Sequence, residues 1–233
     1  MQTVKIPWKA RSEGDERAVF GWLRGQAAVI RSAYANACDD QGKFLSEKEL
    51  KRLLAERFPD HALGSWAIHC AAREGLKLRR ETPDGKRVFG GRDRLERRRK
   101  GLITNAEWQR RRHMRSMEIV GDRTRWGNRH FRLSEDGRQC AVEFLGKKIV
   151  LDLGEMVGKH GALVLAVAKL AVACEISVTF DLGPTHLCAK FDEMDLRRLT
   201  PGTTLEAVKI AEQGTTRKGR KRKDPDTHYG AHR

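Results

Sequence analysis

The strand-like segments of this chain lie on both sides of a long helical stretch, and that order constrains the fold most. Val4-Lys5-Ile6-Pro7-Trp8-Lys9 alternates apolar residues with others at the period of a half-buried strand. Pro7 lacks a backbone donor, which predicts an edge position or a strand end. The next strand signals come after Gly121: Phe131 to Leu133, Gln139 to Leu145 and Lys148 to Leu153, with Gly137 and Gly146 at turns. Glu175 to Phe180 and Thr185 to Phe191 form a further hairpin across Gly183-Pro184, and Asp181 reads as part of its turn. Residues 1–14 and 121–199 therefore form one β-rich unit, and residues 15–120 are a helical insertion into it. The expected fold class is α+β.

Within the insertion, Asp15 is the expected cap of a helix from Glu16 to Ala37, with Val19, Leu23, Ala27, Ile30 and Tyr34 at helical spacing. Ser46 and Glu49 have the capping-box form and start a helix that ends before Pro59. Ser65 opens a helix from Trp66 to Glu74 that stops at Gly75. Pro83-Asp84-Gly85 suggests a small hairpin between Leu76–Leu78 and Arg87–Phe89. Thr104 and Glu107 repeat the capping-box form at the head of a helix through Arg115. Gly161 to Cys174 is apolar apart from Lys169. At about 14 residues it is too short to span a bilayer and reads as a buried helix.

Charge narrows the function. The chain carries a net +16 over 233 residues, and residues 73–132 alone hold 20 Lys or Arg against 8 Asp or Glu. Cations packed this closely repel one another until a polyanion neutralises them. Asp93 to Lys100, DRLERRRK, is a helix by composition but almost wholly polar. The tail 200–233, with Arg217-Lys218-Gly219-Arg220-Lys221-Arg222-Lys223, is expected to stay flexible until it meets a polyanion. The five cysteines are scattered, with no CxxC pair, so neither a zinc site nor another metal or cofactor is expected. The N-terminus lacks an apolar signal core, and a soluble, cytoplasmic protein with no membrane partner is expected.

The motifs Phe89-Gly90-Gly91-Arg92, Arg98-Arg99-Lys100-Gly101, Gly121-Asp122 and Gly127-Asn128-Arg129-His130-Phe131-Arg132-Leu133 stand in a recognisable order. With Val4 to Lys9 and the helix bearing Gln26 and Tyr34, that order resembles the N-terminal half of TnpB-like and type V CRISPR effectors, the RNA-guided nucleases. The resemblance covers about residues 1–195. It implies an oligonucleotide-binding-type wedge β-barrel interrupted by a helical recognition lobe. Such a unit binds a guide or structured RNA scaffold and holds target DNA in an RNA–DNA hybrid. Phosphate contacts would fall to Lys5, Lys9, Arg92, Arg94, Arg97, Arg98, Arg99, Lys100, Arg123, Arg125, Arg129 and Arg132. Trp126 and Phe131 would stack on bases or sit in the core. Asn128 would contact a base edge or a 2′-OH, or serve as a turn residue.

The chain departs from that family in one respect. A RuvC-like nuclease domain, with three separated carboxylates for two metal ions, would follow the wedge, and here about 40 residues follow Phe191. The expectation is a non-catalytic RNA-binding component that works with a separate RuvC-bearing nuclease chain, acts as a binding-only regulator, or mimics a nuclease on its partner's surface. Three alternatives remain open at this level. One is a minimal nuclease using Asp152 and Asp181. Another is a DNA-binding regulator with residues 46–74 as a helix-turn-helix. The last is a ribosomal or assembly protein.

Overall fold

The computed structural model describes residues 2–59, 63–82, 84, 86–154, 159–173 and 175–192. Seven strands form one antiparallel sheet that curls into a half-barrel: β1 (Gln2–Ala10), β2 (Met117–Ile119), β3 (Phe131–Leu133), β4 (Gln139–Phe144), β5 (Lys147–Leu153), β6 (Thr179–Leu182) and β7 (His186–Phe191). Their order is β2-β6-β7-β1-β5-β4-β3, so the first strand is central and its neighbours come from the far end of the chain. Six helices accompany them among the described residues: α1 (Glu13–Ala35), α2 (Glu47–Arg57), α3 (Gly64–Glu81), α4 (Arg92–Arg99), α5 (Asn105–His113) and α6 (Lys159–Val172). The expected basic tail lies outside the described residues. Among the described residues, no helix is long and apolar enough to cross a membrane.

β1 joins the two halves of the sheet. Residues 2–7 pair with β7, and residues 8–10 pair with β5. Pro7 is thus not on an edge. It stands where β1 changes partners, and its carbonyl accepts from the Gly154 amide at 2.8 Å. Trp8 secures the same corner: its indole Nε1 donates to the Gly183 carbonyl at 2.9 Å. The missing donor of proline costs little where one ladder ends and the next begins.

The strands alternate as their sequences require. Ile6, Met117, Phe131, Val142, Leu151, Phe180 and Leu187 point inward and are buried, and α6 fills the curl with Val164, Val167 and Ala168. A second core, built from Val29, Ala33, Leu50, Leu54, Ala71 and Leu76, holds α1, α2 and α3 together. α1 and α3 contribute to both cores. Val19 and Leu23, with Leu63 and Ala67, belong to the barrel, and the later turns belong to the helical core.

Several local expectations need correction. Ser12, not Asp15, caps α1, accepting from the Asp15 amide at 3.1 Å. α3 does not stop at Gly75; it runs to Glu81, so Leu76–Leu78 is helical and the hairpin with Arg87–Phe89 does not exist. The barrel resumes at Met117, four residues before the expected boundary, because β2 pairs with β6. Asp181 lies in β6 opposite Glu118 and Cys188, with the turn beyond it at Gly183. The α2 capping box holds in both directions: Ser46 Oγ accepts from the Glu49 amide and Glu49 accepts from the Ser46 amide.

Gly75 explains why a strong helix breaker sits mid-helix. A Cβ there would overlap Ala33 Cβ and lie 2.9 Å from the Ala33 carbonyl carbon and the Tyr34 nitrogen. In an open helix Gly→Ala would stabilise by about 1 kcal/mol. At this crossing Gly75→Ala should instead destabilise by roughly 1–3 kcal/mol, read by urea unfolding. A gain in stability would mean that α1 and α3 do not cross this closely.

Candidate nucleic-acid interface

The cationic excess is not spread over the sheet. The outer face of the half-barrel carries Lys5, Lys9, Lys148 and Arg132, but Glu143, Asp152, Glu118 and Asp181 interrupt it. Lys9 stands opposite Asp152, which forms an ion pair with Arg11 at 3.0 Å. Lys190 pairs with Glu118 and lies 3.7 Å from Asp181. Positive charge instead gathers in two places built on the helices and on the loop between β2 and β3.

The first is the α4–α5 hairpin. Residues 92–113 hold nine Arg or Lys and three acids. α4 buries no side chain at all; Arg92, Arg94, Arg97, Arg99 and Lys100 are exposed, and Arg98 is half-buried. Thr104 Oγ1 caps α5 by accepting from the Glu107 amide at 3.1 Å. The one buried side chain of α5 is Trp108. Its ring is flanked by two guanidiniums, Arg98 at 4.6 Å and Arg112 at 5.4 Å from the centroid. The Arg98 contact, a cation–π attraction of about 0.5–2 kcal/mol, links α4 to α5, while Arg112 stacks on the same ring from within α5. Arg110 and Arg111 remain exposed beside them.

The second is the loop 120–130. Arg123, Arg125 and Trp126 are exposed there. Arg129 lies 4.5 Å over the Trp66 ring of α3 and pairs with Asp122, and Arg132 lies 4.5 Å over Trp126. The Arg129 bond, with help from the Thr124 hydroxyl, holds the Asp122 carboxyl down to about 2. Two guanidiniums stacked on two indoles present their remaining donors sideways, a geometry suited to phosphate oxygens.

Asn128 does not belong to this surface. It is 1% exposed, and its amide is fully used. Nδ2 donates to the carbonyls of Ile119 and Val178, both at 3.0 Å; Oδ1 accepts from the amides of His130 at 3.0 Å and Phe131 at 3.2 Å. No donor is left for a base edge. Phe131 is likewise core, stacked on Phe180 at 5.2 Å.

The two carboxylates of the nuclease alternative stand apart. Through β7 and β1, Asp181 and Asp152 are three strands and four residues apart, roughly 15–20 Å, far beyond the ~4 Å spacing of a shared two-metal centre. Among the described residues, no group of three His, Cys, Asp or Glu side chains is placed to hold a metal. In the helix-turn-helix alternative α3 would be the recognition helix; it packs against α1, α2 and β2 with Ala67, Ala71, Ala72 and Leu76 buried and leaves Arg73, Lys77 and Arg80 exposed.

Sequence reasoning missed Trp66, Trp108 and Arg110–Arg112 as members of the cationic surface. Trp108 and Arg112 are spaced i,i+4 on α5, which is a legible signal. Trp66 meets Arg129 only through the fold.

Asn128→Ala should cost about 3 kcal/mol or more in urea unfolding, since four backbone groups lose their partner. A surface change such as Arg125→Gln, which removes one exposed charge, should leave the midpoint nearly unmoved. Asp122 gives a pH signature. Its carboxyl is lowered in the folded state, so its contribution is present above about pH 4 and fades as pH falls towards 2. Asp122→Asn should therefore lose less stability than the parent between pH 5 and pH 2.5, and an equal loss in the two proteins would contradict the Asp122–Arg129 bond. No protein-family model matches this chain, and no curated protein matches it.

Proposed function

We propose that this chain binds structured RNA as a non-catalytic component resembling the guide-scaffold and heteroduplex-binding half of a TnpB-like or type V CRISPR effector. The half-barrel is the oligonucleotide-binding-type wedge, and α1–α5 form the recognition lobe. The observation that carries this reading is the α4–α5 hairpin. A helix with no buried side chain, held to its neighbour through Arg98 stacked on Trp108, gains its missing neutralisation from a phosphate backbone. The chain order also supports it: one strand, a helical insertion, then six strands, as a wedge split by a recognition lobe requires.

In this reading Arg97, Arg110 and Arg111, with Arg123, Arg125, Arg129 and Arg132, contact RNA phosphates, and Trp126 stacks on a base. Sequence specificity comes from guide pairing, so shape and charge are sufficient on the protein side. Cleavage, where it occurs, falls to a separate RuvC-bearing chain. Cytoplasmic residence follows from the same reading.

Two measurements test it. Purifying the chain from its native host and sequencing the bound nucleic acid should return one dominant structured RNA. A heterogeneous mixture, or a duplex DNA motif, would refute the guide-scaffold reading. Against that RNA, the triple variant Arg97→Gln, Arg110→Gln, Arg111→Gln should weaken binding about 10- to 100-fold at moderate salt. It should also flatten the slope of log affinity against log salt by about 2 to 3. An unchanged slope would remove the hairpin from the interface.

A further inference from the structure

A third cationic feature has no counterpart in the sequence pattern. The C-terminal half of α1, the end of α2, Phe89 and α5 enclose an open cleft of about 480 Å³. Arg31, Arg57 and Arg112 line it, together with Ser32, Phe58 and Phe89. No carboxylate is among its lining residues. Among the described residues, none of the three arginines has an acidic partner within ion-pair distance. This sets the cleft apart from the polar seam between α3 and the barrel, where Glu74, Glu118 and Asp181 already offset Arg115 and Lys190.

Arg31 is held in place by neutral acceptors. It donates to the Arg112 carbonyl at 3.1 Å and to His113 Nδ1 at 3.0 Å. Burial, then the charge of Arg112, lower its pKa. Burial and the same two cations also lower His113, which keeps the imidazole neutral and able to accept. The cleft therefore presents charge that repels itself and that, among the described residues, no carboxylate neutralises. An anion entering between the guanidiniums relieves that repulsion and receives several charge-assisted bonds. Guanidinium forks match phosphate oxygens, aromatic lining residues match a base or ribose, and the volume suits one nucleotide. Arg112 belongs both to the cleft and to α5, so a strand leaving the cleft runs onto the exposed Arg110 and Arg111. That continuity favours a nucleotide over a phosphopeptide.

We propose that the cleft formed by Arg31, Arg57 and Arg112 binds the terminal phosphate of a nucleotide, with Phe58 and Phe89 against the attached nucleoside. The phosphate comes either from the end of an RNA strand, which rests on the RNA-binding reading above, or from a free nucleotide, which does not.

The test uses the full chain and three 12-nucleotide single-stranded RNAs of one sequence: 5′-phosphorylated, 3′-phosphorylated and unphosphorylated. AMP is titrated separately by calorimetry. One of the two terminal phosphates should tighten binding about tenfold or more. Arg57→Gln should abolish that increment while leaving affinity for the unphosphorylated RNA unchanged. Arg57 is exposed at the end of α2, so its loss leaves the cores intact; Arg31→Gln, checked by thermal unfolding, provides the second variant. AMP binding lost in Arg57→Gln, with no effect of the terminal phosphate on RNA, also supports the cleft and assigns it to free nucleotides. If no RNA binds but AMP does, and Arg57→Gln removes AMP binding, the RNA reading fails and the cleft stands. Equal affinity for all three RNAs together with no AMP binding overturns the cleft and leaves RNA binding by the hairpin untouched. Binding of a phosphoserine peptide without AMP binding overturns it as well.

Discussion

One buried amide holds the open side of this half-barrel in register. The edge strands β2 and β3 are not hydrogen-bonded to each other, and a curled sheet with free edges can splay. Asn128 spans the gap. It binds the carbonyls of Ile119, which ends β2, and Val178, which precedes β6, through one end of its amide, and the amides of His130 and Phe131 at the start of β3 through the other. Gly127 makes the approach feasible, with φ +75° and its α-carbon so close to Ala171 and the Ile176 carbonyl that a side chain would crowd them. The cationic loop 120–130 is anchored by that same amide. Its arginines can be exposed and still fixed in place because Asn128 is neither exposed nor free.

Much of the architecture was legible from alternation and capping. The strands β3, β4 and β5 begin and end within a residue or so of the expected positions, because Gly137 and Gly146 mark the turns and the inward residues are large and apolar. The α2 capping box was legible for the same reason: it is a local exchange of hydrogen bonds among four residues. The failures are non-local. Gly75 reads as a stop, yet it exists because Ala33 presses against it. β2 is three residues long, and its strand character comes from β6, more than 60 positions later.

The candidate surfaces divide along the same line. A run such as Arg97-Arg98-Arg99-Lys100 announces itself by charge density. Its stacking on Trp108 follows from helical spacing once α4 and α5 fold back on each other. Arg31 and Arg57 carry no such mark. Each is a lone cation on an amphipathic helix, and their convergence with Arg112 depends on how α1, α2 and α5 meet. Asn128 stays open between a turn residue and a nucleic-acid contact in the sequence for a related reason. Gly-Asn-Arg has the composition of a turn or of a polar contact, and burial alone separates the two roles.

The central place of β1 has a consequence for how the chain comes to be folded. Gln2 pairs with Phe191 and Trp8 with Leu153, so β1 waits for nearly the last described residues before its ladders can form. During synthesis Val4, Ile6 and Trp8 have no sheet to join, whereas α1, α2 and α3 can already close their own core. Contacts of such long sequence separation slow the final step and leave apolar strand edges open while it is pending. The helical core thus assembles first as a local unit, and the half-barrel, which gathers strands from both flanks of it, is completed last.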